Sequence, residues 1–367
     1  MTVEYPLAVG ILASYFLLII FLFYKISPQL THCIKNLTPE ITLFLILAVF
    51  SFLSTWTYMF KFFAFSFYQW KELAVYKYDV SQMSFLNSIS YWLHDVSLFD
   101  SAWRQVCVGA WQWLWSHQLC SLTVAVWTPI LAIEGYKRGI HHIWAYMILG
   151  QVVAISVGSS LFFAVMLSHQ PIPYRQAPSK LLTSLAVSTI GGIITVIISP
   201  FVAATEGFMP NLLVMHILLV FPLVALNYLP AIEYTSNKTG LSVMALYLLS
   251  AGANFSIYVH QWIECLSVLE VQSNSFICDV FNKLFSTFFA HPAQSSISYD
   301  IVCMQIISVA WMYTQSKHIF NSVPCWIIAL MLSTPILSAS VTLPLFFAAC
   351  EYETFSVQKI IYSQKRN

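Results

Sequence analysis

Between Trp92 and Glu134 the chain sets six tryptophans (Trp92, Trp103, Trp111, Trp113, Trp115, Trp127) beside His94, Asp95, Asp100, Arg104, His117 and Glu134. A carboxylic acid in apolar surroundings resists ionisation and can serve as a general acid. Indole and phenol faces stabilise a developing cation through the ring quadrupole. Together they are equipment for protonating an epoxide or alkene and steering the carbocation. Asp95, Asp100 and Glu134 are the first candidate acids, with Glu264 and Asp300 behind them. His94, His117 and His260 are candidates to relay or accept a proton. Trp103, Trp111, Trp115 and Tyr258 are candidate cation stabilisers. Ser250, Asn254, Tyr258 and Gln261 recur at helical spacing and share one face, which makes Asn254, Tyr258 and Gln261 candidates for substrate contact.

Each candidate has a plainer reading. Asp100 and Arg104 stand one helical turn apart and can pair. Ser97 with Asp100 three residues on fits a capping box. Glu134, His260, Glu264 and Asp300 sit near span ends, where polar groups can snorkel to water. Two further polar groups, Gln151 and His216, fall inside apolar stretches. An ionisable group at such a depth costs roughly 2.5–3.5 kcal/mol on insertion scales and so calls for a reason.

The motifs of common enzyme classes are missing. There is no HExxH, no GxSxG elbow, no Walker A loop and no DDxxD-like cluster for magnesium diphosphate. The eight cysteines are scattered without a CxxC pair or ligand spacing, so neither a metal nor a cofactor is expected. A net charge of +1 with no basic run leaves no footprint for nucleic acid. Nothing calls for an obligate protein partner.

The elements that must position these groups are membrane helices. Hydrophobic residues are 59% of the chain and charged residues 8%, with a mean hydropathy of +0.74. A soluble surface cannot be covered with so few charges. The expected fold is all-α: one integral-membrane helical domain over residues 1–367, with about nine spans, or eight. The spans fall near 5–24, 41–60, 113–133, 143–167, 181–202, 212–229, 241–263, 300–313 and 324–349. An aromatic-rich interfacial helix precedes the third, and a semi-apolar interfacial segment lies near 265–294. Pro129 is placed to kink the third span. Charges flanking the first span favour an outside N-terminus and a cytosolic tail. Asn36 and Asn237 head sequons that a nine-span topology puts on opposite sides.

WLHDVSLFDSAW (92–103), WSHQLCSLTVAVWTPILAIEG (115–135) and HHIWAYMILGQVVAIS (141–156) resemble segments of fungal multi-pass membrane proteins. The family is the integral-membrane terpene cyclases of meroterpenoid biosynthesis, of the ascochlorin and ascofuranone type. The resemblance lies in about the first half of the chain. It implies metal-free, cofactor-independent cyclisation of a prenylated (farnesyl) aromatic substrate through a terminal epoxide, in the endoplasmic reticulum membrane. The better-known cyclases of such pathways are smaller, and their pair of essential acids does not align here, so no catalytic residue is carried over. The rival reading is a multi-pass transporter or channel, suited by Pro129, Pro200, Pro222, Pro335 and in-span His216 and Gln151. A non-catalytic scaffold is a third.

Overall fold

The computed structural model describes residues 3–172, 175–225, 239–271 and 275–364. Among these every regular element is helical. The helices, in chain order, are α1 (Pro6–Lys35), α2 (Pro39–Ala74), α3 (Phe85–Asp95), α4 (Leu98–Cys107), α5 (Ala110–Arg138), α6 (Ile143–Val152), α7 (Ile155–Ser168), α8 (Ser179–Val202), α9 (Phe208–Ala225), α10 (Thr239–Ser267), α11 (Phe276–Phe289), α12 (Pro292–Phe320), α13 (Cys325–Leu337) and α14 (Ala339–Gln364). Seven of them, α1, α2, α5, α8, α9, α10 and α12, are long and apolar enough to cross a membrane. The most apolar stretch of α5 is wholly buried, whereas α1 turns most of its surface outward. The bundle is therefore built around α5, with lipid-facing apolar surface on its periphery.

Two of the nine apolar stretches do not cross. Residues 143–167 fold as the antiparallel pair α6 and α7, broken at Val153 and Ala154, where Ala154 is extended. Ten residues of α6 reach only about 15 Å, half of a bilayer core. Both ends of the pair lie on one side, here termed the C-face. Gln29 near the end of α1 donates to the carbonyl of His141 at 3.0 Å, and Cys33 meets Ser168 at 3.1 Å. The tip meets the middle of α2, where Trp56 donates to Val153. Gly158 allows the two arms to touch: a Cβ there would lie 2.8 Å from the Tyr146 carbonyl and 3.2 Å from Gly150 Cα.

The last stretch repeats this device. α12 runs antiparallel to α2, with Tyr58 stacked on Tyr299 and Phe44 against Trp311, and so ends on the C-face. α13 climbs from there, breaks at Ser338 (φ 75°), and α14 returns to the C-face, where Glu351 pairs with Lys137. A serine at positive φ is strained by about 1–3 kcal/mol. Neighbours hold it: Asn254 donates to the Ser340 carbonyl at 2.8 Å and Tyr258 to that of Ile336 at 2.5 Å.

Other expectations shift in detail. Pro129 is absorbed by a π-turn over Thr123–Trp127, in which the Thr128 hydroxyl donates to the Thr123 carbonyl. α5 then runs on to Arg138 and closes on Gly139 at φ 64°. Asp300 does not open a span but lies well inside α12. Ser97 makes no side-chain cap, and Asp100 holds Arg104 instead at 2.8 Å. α3, α4 and α11 lie at the opposite end of the bundle, here termed the N-face. Asn237 lies outside the described residues.

Epitope tags inserted after His141 and after Gln170 report on the half-depth pair directly. We expect both to be reached from the same side of sealed microsomes; a full crossing would place them on opposite sides.

Candidate functional site

Where α6 and α7 stop short, the N-face half of their slot is left unfilled. A cavity of about 190 Å³ occupies it. The hairpin tip (Gly150–Ile155) forms its floor and α4 (Phe99, Ala102, Trp103, Val106) its roof. α1, α2, α5, α9 and α12 supply the walls through Tyr15, Met59, Cys120, His216 and Asp300, among others. The lining is mainly apolar, and the polar groups are few: Asp300, His216, Gln151, Thr55, Thr123, Ser296 and the Tyr15 hydroxyl.

Broken backbone at this depth must find partners within the protein. Asp300 meets the need at the start of α7: its Oδ2 accepts from Ile155 N–H at 3.0 Å and its Oδ1 from Ser156 N–H at 2.8 Å. Two backbone donors and the positive end of a helix stabilise a carboxylate there. At the end of α6, Tyr15 donates to the Val152 carbonyl, and Trp56 donates to Val153 at 3.1 Å. His216 spends Nδ1–H on the Leu212 carbonyl at 2.7 Å, one turn back on α9. In the neutral ring Nε2 is then the free base. The cavity thus offers one carboxyl, one imidazole and the aromatic faces of Trp103, Phe99 and Tyr15.

Of the residues expected from sequence to do chemistry, Asp300 and Trp103 line this cavity. The others are elsewhere. Asp95 sits on the N-face, where Trp70 (3.1 Å), His94 (3.1 Å) and Tyr78 (3.3 Å) bond to it and Lys77 lies at 3.8 Å. His94 also stacks on Tyr5 at 3.8 Å. Asp100 pairs with Arg104, which bonds the carbonyls of Ala203 and Thr205 and pins α4 to the turn between α8 and α9.

Glu134 is buried at the C-face in a network. It receives Lys137 at 3.2 Å and Arg138 at 3.2 Å; Lys137 also holds Glu351. Two carboxylates facing two cations balance in charge, so Glu134 serves as an ion-pair partner that ties the returning α14 to α5. His117 is buried between α5 and α10, bonded to the Trp113 carbonyl at 2.8 Å and 5.9 Å from the Tyr258 ring. His260 and Glu264 face outward. Trp111 packs on Trp262 and Trp115 on Phe288, both away from the cavity. Asn254 and Tyr258 brace the second hairpin, and Gln261 bonds the Ala110 carbonyl at 2.8 Å. The polar face of α10 is thus spent on backbone left open by helix breaks and helix starts.

Among the cavity residues absent from the expected site are His216, Gln151 and Tyr15. The first two carried a signal, a polar side chain deep in an apolar stretch. Tyr15 carried none, since a tyrosine in a membrane helix is ordinary.

Residues 245–351 match a family model described as "Protein of unknown function DUF2834". That stretch runs from α10 to the return of the second hairpin and includes Asp300. Neither the curated proteins nor the solved structures contain a significant match to the chain.

Removing one member of the buried network should be costly. Lys137→Met leaves Glu134 and Glu351 facing each other with a single cation, and we expect a loss of about 3–5 kcal/mol. A lowered melting temperature in detergent is the readout, with exposed Lys77→Met as a near-neutral control. Asp95 gives a second expectation. Burial opposes its charge, but the hydrogen bonds from Trp70 and His94 and the charge of Lys77 outweigh burial and hold its carboxyl below the ordinary 3.8. A depressed folded value lends stability that is complete above the unfolded value and lost as pH falls through the folded one. Hydrogen exchange over α3 should therefore stay protected above pH 3.8 and rise below it, and Asp95→Asn should remove this dependence.

Proposed function

We propose that the chain is a membrane-embedded terpene cyclase that opens the epoxide of a prenylated (farnesyl) aromatic substrate and cyclises it by acid–base chemistry. The observation that carries the reading is the single carboxyl and single imidazole, Asp300 and His216, on the wall of one apolar cavity inside the bilayer. Asp300 in its acid form gives a proton to the epoxide oxygen and the C–O bond breaks. The N–H groups of Ile155 and Ser156 stabilise the carboxylate left behind. An alkene or hydroxyl attacks the carbon, and the positive charge passes along the chain beneath the faces of Trp103, Phe99 and Tyr15. His216 Nε2 takes the final proton, which returns to Asp300, so the product is an isomer of the substrate. The likeness of residues 92–156 to meroterpenoid cyclases and a residence in the endoplasmic reticulum membrane fit this reading.

A second reading, a small-molecule transporter, is favoured by the two broken helical hairpins, because discontinuous helices build the binding sites of many transporters. Product analysis separates the two. Microsomes holding the protein, fed a farnesylated phenol with a terminal epoxide and a chelator, should yield a new compound of unchanged mass. His216→Gln, which keeps a polar side chain on α9, should lower the rate by about 10²-fold or more while the protein stays folded. Asp300→Asn should abolish turnover. Unchanged substrate accumulating inside sealed vesicles would replace the cyclase with the transporter.

A further inference from the structure

The cavity has a direction. Its deep end is made of groups with almost no exposure: Asp300, Ala154, Ile155, Thr55 and Cys120. Tyr15, Trp103 and His216, at another part of the lining, are each partly exposed. Tyr15 lies nine residues into α1 and His216 eight residues into α9, both counted from the N-face. Those counts put both side chains about 12–14 Å below the helix starts, in the N-face leaflet and at matching depth. Between them α6 has already ended, so among the described residues α6 does not close the gap at that level. The roof above is α4, fixed by Arg104 to the turn between α8 and α9.

The cavity also has a limited capacity. An apolar cavity of about 150 Å³ takes one benzene. A volume of about 190 Å³ therefore takes roughly one to two isoprene units, fewer than a farnesyl chain carries and far fewer than the chain with its aromatic head.

Resting on the cyclase reading above, we infer that the substrate enters sideways from the N-face leaflet between α1 and α9, with its terminal isoprene leading. Its aromatic head stays at the mouth beside Tyr15, Trp103 and His216. This orientation puts the epoxide against Asp300, where the proton is given. It puts carbon atoms nearer the head beside His216, where the last proton is removed after the charge has moved up the chain.

Photolabelling tests the orientation without requiring turnover. Full-length protein in microsomes is exposed to two analogues of a farnesylated phenol, one with a diazirine on the terminal isoprene and one with a benzophenone on the ring. The diazirine should mark Ala154, Ile155 and Asp300. The benzophenone should mark α1 around Tyr15 and α9 around His216, and excess unlabelled compound should suppress both. The reverse pattern, or labelling that competitor does not suppress, overturns the inference. The expected pattern in a protein that forms no isomer would keep the entry route and remove the cyclase. An isomer formed with the reverse pattern would keep the cyclase and remove the route.

Discussion

The structure depends on how a helix can be broken inside a membrane. Each interrupted turn frees backbone N–H and C=O groups, and hydrocarbon offers them nothing. At Val153–Ala154 the freed groups are taken by three side chains from three helices: the carboxylate of Asp300, the hydroxyl of Tyr15 and the indole of Trp56. At Ser338 the same task falls to Asn254 and Tyr258 of α10. Much of the buried polarity in this apolar chain is therefore spent on backbone. The Asp300 oxygens do both jobs: they close the turn, and they belong to the carboxyl that lines the cavity.

The cavity follows from this break. A helix crossing the whole bilayer would have filled the slot between α1 and α9. The pair α6 and α7 fills only the C-face half, with Gly158 letting its arms approach to backbone contact. α4, an amphipathic helix, roofs the remainder with Phe99 and Trp103, while its polar Arg104 grips the carbonyls of the turn between α8 and α9. Floor, roof and walls thus come from segments far apart in sequence, and the site forms only when the bundle is assembled.

The helical class and the positions of the apolar stretches were legible because hydrophobic runs of that length have few other outcomes. The two hairpins were not. Residues 143–167 are as apolar as a true crossing, and hydropathy cannot tell a full span from two half spans that fold back; the polar group closing the break is 145 residues away. Tryptophan density proved a weaker guide to the site than depth of burial. Of the three tryptophans expected to stabilise charge, Trp103 lines the cavity, while Trp111 and Trp115 pack on aromatic neighbours. Gln151 and His216, polar groups within apolar stretches, converge there with Asp300, which the sequence reading placed at the start of a span. Glu134 stood among the first candidate acids; in the structure Lys137 and Arg138, three and four residues further on, form its ion pairs.

The long reach of Asp300 has a bearing on biogenesis. Tyr15 and Trp56 leave the ribosome before the hairpin tip, so its free carbonyls have partners on arrival. The tip's N–H groups wait for a carboxylate translated 145 residues later. At about 5–20 residues per second that interval is roughly 7–30 s. Throughout it, the start of α7 must borrow hydrogen bonds from water, from headgroups or from the insertion machinery. The start of α7 therefore gains its final hydrogen bonds only after Asp300 of α12 has been made.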